Sequence, residues 1–511
     1  MDTNDTNSWR DSLPRPVFDA RPELCDLYYK AWELAHTHIA NVPGLPAPRY
    51  MDAGHRSDRI WIWDTCFMSL FCKYCPEEFP GVESLENFYG ILMDRGDEPL
   101  PLVRGNRWCG ADEGRMMPFM VHIADNPPLF AWVELEYALQ TGDRAHLEKV
   151  YSERRWLPRW FERFDAFDPD APKPFGVSAP VRLKRVPGGY RWHGGASGMD
   201  NTARGRDGDG PSSDFDGCVV RDDLLWLDAL AQQGLAALCL SRIATLLDRD
   251  GEAAAWRTRW AALRDELNAL YWDEADGFYY DIRESDRAKV RVPSIASYWP
   301  LLAEMPTPDM ADRLVAKLRA PAMFGGDIPM PSLARSDADF WPTGGYWRGG
   351  VWLPTSYMTV KALDARGDWA LARDLATRLV SDMRRTYDEM EPHTIWECYS
   401  PTEAKPSAYA KKPGFVRPDF CGWSALGPIS LFIEDVIGVK RADAFANRLV
   451  CDFPAEPEGR VGVENYRFGE VVCDLVATKG ELAVESNRPF TLVADGRDRT
   501  VPAGQSVFAR P

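Results

Sequence analysis

"RDDLLWLDALAQQGLAALCLSRIATLLD", residues 221–248, sets the period that runs through most of the chain. Leu227, Leu230, Ala231, Gly234, Leu235 and Leu238 fall at the i, i+3, i+4 spacing of a single buried helical stripe. Asp250-Gly251 punctuates the pattern, which resumes over 251–270, so the pair reads as a helical hairpin. Residues 22–40 repeat it with Leu24, Leu27, Tyr28, Ala31 and Trp32. Further helices are expected near 63–75, 83–94, 128–141, 143–165, 308–319, 351–365, 368–386 and 423–437, with turns at Gly142-Asp143 and Gly367-Asp368. Consecutive helical hairpins build either a solenoid or a closed ring. A solenoid would show a regular repeat of roughly 30–45 residues. Here segment lengths vary, and polar-aromatic loops alternate with helix pairs, which favours a closed double ring with its loops gathered at one mouth.

From about residue 455 the period changes. Segments 462–475, 481–486 and 489–495 alternate apolar and polar residues around turns at Lys479-Gly480 and Asp495-Gly496. The expected layout is an N-terminal arm over 1–20, a helical body over 21–450 and a small antiparallel β unit with a structural role over 455–511.

Composition narrows the function. A net charge of −17 argues against a nucleic-acid partner, which calls for a basic patch. No uninterrupted apolar run approaches the roughly 18 residues of a membrane span. The N-terminal MDTNDTNSWRDSLPRP lacks the basic and apolar regions of a secretory signal. Eleven cysteines, an odd number scattered through apolar segments, suit buried thiols in a reducing cytoplasm. Cys72 and Cys75 have CxxC spacing without a partner pair, so no metal site is expected. Twenty tryptophans offer large flat apolar faces on which a sugar ring can stack, though large helical cores use tryptophan too.

The longer loops, at 95–115, 176–220, 322–350 and 390–422, are rich in Gly, Trp, Arg and Asp. Four segments combine carboxylates with these residues: Trp61-Ile62-Trp63-Asp64, Gly194–Asn201, Gly344–Trp352, and Trp396–Tyr399 followed by Phe420–Trp423. Asp200 follows glycines that let the backbone turn and expose its side chain. Glu397 sits among aromatic residues, whose surroundings can move a carboxyl pKa. A protonated and an ionised carboxyl together are what glycoside hydrolysis requires. From the residues alone, Asp200 equally suits a helix cap or turn, and Glu397 a partner for an arginine such as Arg348.

Taken together, these segments resemble glycoside hydrolase family 63 and the trehalase-like enzymes of its clan, including the short mannosylglycerate and glucosylglycerate hydrolases. The likeness runs in matching order through most of residues 20–440. It implies a mainly α protein with an (α/α)6 barrel, to which the small C-terminal antiparallel β unit is added, and inversion at the anomeric carbon. "SGMDN" is similar to the segment carrying the general acid, which implies Asp200, with Asn201 beside it. "WECYSPT" is similar to the segment carrying the general base, which implies Glu397. "YWRGGVW" resembles the loop that builds the sugar site, here Tyr346, Trp347, Arg348, Gly349 and Trp352. "IWIWDTCF" resembles a helix start whose aspartate holds sugar hydroxyls, implying Asp64 beside Trp61 and Trp63. "FCGWSALG" supplies Trp423, and "NPPLFAW" places Asn126 where the family has glutamine. The chain departs from the pattern at Ala196, Met199, Gly350, Leu353, Cys398 and Ser400, departures expected to alter the contacts that choose the sugar.

The resulting expectation is an inverting, exo-acting α-glycosidase on a small α-glucoside or α-mannoside, a disaccharide or a glycosyl-glycerate. It needs no cofactor or metal. Its partner is a small sugar rather than nucleic acid or membrane. Asp200 would protonate the leaving oxygen and Glu397 activate a water, with the carboxyls about 6.5–9.5 Å apart. Arg104, Arg107, Arg115 and Lys405 could meet an anionic aglycone or pair with surface carboxylates. The acidic run from Asp207 to Asp216 lacks calcium-loop spacing, and His55 and His193 read as structural. Two rivals stand: an epimerase or lyase on the same helical ring, working through His or Tyr, and a carbohydrate-binding protein without turnover.

Overall fold

The computed structural model describes residues 8–43, 45–53, 60–94, 126–127, 129–168, 182–206, 220–409 and 413–510. Helices stand where the 3.6-residue stripe runs: α1 (Pro22–Thr37), α2 (Ile62–Cys72), α3 (Gly81–Tyr89), α4 (Phe130–Thr141), α5 (Trp156–Asp165), α6 (Leu227–Leu246), α7 (Asp250–Tyr271), α8 (Pro308–Arg319), α9 (Leu353–Arg366), α10 (Trp369–Glu389) and α11 (Gly427–Ile437). The last is wound as a wider π-helix. α6 packs on α7, and α9 on α10, as hairpins. α6 is long and apolar enough to cross a membrane by composition, but most of it is buried inside the protein, Asp228, Gln232 and Gln233 included. It is a core helix.

The structure corrects the expected boundaries in four places. Residues 221–226 are not helical: Val220–Leu225 is a strand pairing with Gly189–His193 and Asp281–Arg283. Leu224 and Leu225 are both buried there, so they continue the apolar run of α6 without sharing its conformation. The β part begins at Val439, ahead of residue 455. It is not wholly antiparallel, because Arg448–Cys451 and Phe490–Ala494 pair in parallel. Segment 462–475 is two strands, Val461–Phe468 and Val471–Ala477, turned at Gly469 with φ 51°.

The fourth correction concerns the N-terminal arm. Arg15–Phe18 is an edge strand on Val461–Phe468, while Leu13 and Trp9 are buried in the common core. Asn465 donates to the carbonyls of Asp11 and Leu13, both at 3.0 Å. The N-terminal arm and the C-terminal β part are therefore built together. Two sheets result. One holds Arg15–Phe18, Val461–Phe468, Val471–Ala477, Glu481–Ser486 and Gly504–Ala509; the other holds Val439–Asp443, Arg448–Cys451, Phe490–Ala494 and Arg497–Val501. Phe468 of the first meets Phe490 of the second edge to face, with centroids 5.4 Å apart.

Glu434 of α11 ties three helices together. Lys73, just past α2, lies 3.1 Å from its Oε1; Lys361 of α9 lies 2.7 Å from its Oε2; Tyr74 and Tyr357 donate to the same carboxylate. Burial by itself would raise this carboxyl, but the Lys361 and Lys73 charges and donors outweigh it and hold it at about 2. The native value lies below the ordinary 4.5, so the group's contribution to stability is in place above pH 4.5 and is lost as pH falls through about 2. Glu434→Gln leaves the buried Lys73 with Glu136 and Lys361 with Asp364 as their remaining carboxylates, a partial loss of compensation that should cost about 3 kcal/mol at pH 7. It should also flatten the loss of stability below pH 4.5. Urea midpoints measured across pH check both effects, and equal midpoints for the two proteins at neutral pH would contradict them.

Candidate active site

Asp200 stands in a turn that is anchored on three sides. The helical turn after it is capped at Thr202, so Asp200 is not a helix cap. Upstream, Gly198 adopts φ +81° under the indole of Trp63, where a Cβ would lie 2.8 Å from the ring. That close approach brings the start of α2 onto the turn. Asn126 donates to the carbonyl of Ala196 at 2.9 Å. Downstream, Arg204 is fully buried, bonded to Asp228 and Asp281 at 2.6–2.8 Å, with its guanidinium 4.5 Å over Trp226. Asp281 also accepts from the Leu227 N–H, so Arg204 holds the turn to the start of α6. Arg206 bonds Asp337 and Asp339. Asp200 itself is half-buried.

Asn201 joins this turn to residues 344–352. Its Nδ2 donates to the Gly345 carbonyl at 3.0 Å, and its Oδ1 accepts from the Trp347 N–H at 2.9 Å. Its own carbonyl accepts from Arg348 Nε at 2.6 Å. Arg348 Nη1 pairs with Asp339 at 2.9 Å, and the residue is 1% exposed. Burial lowers its guanidinium to about 10 against the pull of Asp339 and Asp337, so it stays charged at neutral pH. Trp347 and Trp352 stack on each other, centroids 4.0 Å apart and planes at 2°.

The segment that carries Glu397 is bonded to the same loop. Val351 and Tyr399 exchange backbone hydrogen bonds of 2.8 and 3.0 Å, and Gly344 bridges to Ala408. This places Glu397 beside Tyr346, whose hydroxyl donates to Oε1 at 3.1 Å; the Arg417 N–H donates to Oε2 at 3.2 Å. Trp423 Nε1 and Ser424 Oγ hold the Glu397 carbonyl at 3.0 and 3.2 Å. Burial pushes the Tyr346 phenol far above its ordinary value, and the Glu397 and then the Asp200 charges push it further. Two carboxyls far apart in sequence thus act on a single phenol.

The fold therefore gathers Trp63, Asn126, Asp200, Asn201, Tyr346, Trp347, Arg348, Gly349, Trp352, Glu397 and Trp423 around one loop. Asp64 is buried in the first turn of α2, and Trp61 stands half-buried just before it. Arg107 lies outside the described residues, as do Arg104, Arg115, His55 and the run from Asp207 to Asp216. Several side chains expected to touch sugar are used as framework here. Arg348 is held between Asn201 and Asp339, and the two indoles of Trp347 and Trp352 cover each other. Met199, Ala196 and Cys398 are 1%, 2% and 0% exposed, so these departures fall in packed positions. Sequence reading missed Arg206, Asp337 and Asp339. The two aspartates a few residues ahead of the Gly-Trp loop were the available signal.

A model of the mannosylglycerate hydrolase MGH1-like glycoside hydrolase domain matches residues 120–415. A periplasmic trehalase of Pseudomonas aeruginosa is 24% identical over 408 residues, 73% of this chain and 70% of the relative. An uncharacterized protein of Borreliella burgdorferi is 24% identical over 391 residues, 75% of this chain and 72% of its own. Among solved structures, the GH63 mannosylglycerate hydrolase from Thermus thermophilus in complex with glucose superposes with TM-score 0.55 at 19% identity, covering 80% of this chain and 99% of that one. The neutral trehalase Nth1 from Saccharomyces cerevisiae gives 0.52 at 14% identity, with 75% and 74% covered.

Gly350 stands where the resembled pattern has proline. Its N–H donates to the carbonyls of Gly344 at 2.7 Å and Tyr346 at 3.1 Å, bonds proline cannot make. A Cβ would lie 2.3 Å from the Tyr346 carbonyl oxygen. Gly350→Ala should therefore overpack the loop and cost about 1–3 kcal/mol. A lower urea midpoint is expected; an unchanged one would mean that the loop backbone yields freely.

Proposed function

The chain belongs to the MGH1-like glycoside hydrolases, the matching family model taking in more than half of its length, and on that footing we propose that this glycoside hydrolase cleaves a small α-glycoside with inversion. Asp200 is the general acid, protonating the glycosidic oxygen as the bond breaks. Glu397 is the general base, taking a proton from a water that attacks the anomeric carbon from the opposite face. The observation that carries the reading is that one short loop bonds both sides: Tyr346 donates to Glu397, while Gly345 and Trp347 on either side of it bond Asn201, the neighbour of Asp200. One carboxyl is half-buried in a turn; the other accepts donors on both oxygens, which favours its ionised form. Opposed environments of this kind are what an acid and a base need at one pH.

The helix pairs are proposed to close into an (α/α)6 barrel, with Asp64, Trp352 and Trp423 at one mouth. Support comes from where they sit: each lies at or just before the start of α2, α9 or the turn leading into α11. A glycosyl-glycerate or a glucose disaccharide is the proposed substrate class, because the similar proteins bear the names mannosylglycerate hydrolase and trehalase. A reducing compartment is proposed because the nine described cysteines are free thiols and eight are buried.

Proton NMR of the protein with glucosylglycerate, mannosylglycerate, trehalose, kojibiose and nigerose tests the chemistry. One of these should be cleaved, with the sugar attacked by water appearing first as its β anomer; trehalose would give one β and one α glucose together. Asp200→Asn should lower kcat by about 100-fold or more. First appearance of the α anomer would mean that Glu397 attacks carbon directly. Binding without turnover would reduce the protein to a lectin-like role.

A further inference from the structure

We propose that Tyr346 is a positioning residue for Glu397, and that residues 344–352 are the frame that fixes the two catalytic carboxyls relative to each other. The inference rests on the acid–base reading above and assigns a device that sets the base.

Tyr346 has φ +64°, a left-handed conformation that a residue with a Cβ rarely adopts. Its surroundings hold it there. Its carbonyl accepts from Trp352 Nε1 and the Gly350 N–H, both at 3.1 Å, and its ring is wedged edge-on between Trp352 and Phe415, with centroids 4.7 and 4.8 Å away. This fixed backbone aims the phenol at Glu397 Oε1. The phenol keeps its proton, since burial and two nearby carboxyl charges all oppose its loss. A donor that cannot ionise stabilises the charged carboxylate and so lowers its pKa. With Oε1 accepting from Tyr346 and Oε2 from the Arg417 N–H, the carboxylate is held in one orientation. Each carboxylate oxygen has two lone pairs, so two donors can aim the group and still let it accept from a water.

The same nine residues also hold the acid. Asn201 bonds Gly345 on one side of Tyr346 and Trp347 on the other, while Arg348 holds the Asn201 carbonyl. A displacement of Tyr346 would therefore move the base directly and the acid through its neighbour. An inverting enzyme needs a fixed gap between its carboxyls to admit one water. A single short loop bonded to both is a direct way to hold that gap.

The test is a carbon-13 NMR titration of the full chain labelled at the glutamate carboxyls, with the Glu397 signal assigned by its loss in Glu397→Gln. Tyr346→Phe keeps the ring packing and removes the donor. It should raise the Glu397 midpoint by about half a pH unit or more. Ser424→Ala removes a hydroxyl that bonds peptide carbonyls of Trp396 and Glu397, and should leave the midpoint in place. If Tyr346→Phe does not fold, tyrosine replaced throughout by the more acidic 3-fluorotyrosine should shift the midpoint downward instead. On a cleaved substrate, Tyr346→Phe should lower kcat about tenfold with KM within about twofold, and the acidic limb of the pH profile should follow the titration. Equal midpoints in wild type and Tyr346→Phe would overturn the proposal. The titration needs no substrate, so a protein that cleaves none of the panel would sink the catalytic reading while the midpoints still decide whether Tyr346 sets Glu397.

Discussion

Glu434 is the point on which the arrangement depends. A carboxylate with almost no exposure is tolerable only when opposite charges and donors replace its water, and here they reach Glu434 of α11 from the end of α2 and from α9. Lys73 follows α2, Lys361 lies on α9, and Glu434 lies on α11. Each helix begins next to site residues: Trp63 and Asp64 on α2, Trp352 before α9, Trp423 in the turn before α11. Leaving out any one partner would thin the compensation of the charges buried here, which favours one relative placement of the three elements. Far from the chemistry, this ion cluster sets the directions in which three walls of the site approach.

A second set of buried charges does the same at the site. Arg204 between Asp228 and Asp281, and Arg206 and Arg348 around Asp339, bond the Asp200 turn to α6 and to the 344–352 loop. Such pairs often add little net stability, since desolvation offsets most of their attraction. What they add is geometry. A planar guanidinium satisfied on several sides permits few alternative placements. Catalysis by paired carboxyls depends on placement to within a fraction of an ångström, and loops of glycine and tryptophan would not supply it unaided.

Much of this was legible in the sequence. The helices lie close to where the 3.6-residue stripe put them, because a buried stripe leaves a strong periodic trace. Misreadings came where local pattern and tertiary context parted. Leu224 and Leu225 extend the apolar run of α6, yet they pair as a strand with residues 282 and 283. Arg15–Phe18 spans too few residues to leave a period, and the sheet it joins comes from the far end of the chain. Gly469 turns a strand inside what reads as one alternating run. At the site, the types and order of the residues were readable and their directions were not. Nothing in the sequence says whether Arg348 faces sugar or protein, or that two tryptophans separated by four residues lie face to face.

The departures from the family pattern follow the same logic. Met199, Ala196 and Cys398 flank the acid and the base in sequence, which suggests that they shape the pocket. In the fold they are among the most deeply packed residues near the site. The Cys398 carbonyl accepts from the Ser407 N–H at 3.0 Å, and Ser400 donates through its N–H to the Lys405 carbonyl and through its hydroxyl to the Pro342 carbonyl, so both brace the hairpin that carries Glu397. Gly350 trades a rigid residue for an N–H that closes the loop on itself. These positions are taken up by the packed framework around the site. Buried as they are, Met199, Ala196 and Cys398 can act on sugar preference only through the placement of Asp200, Glu397 and the loop between them.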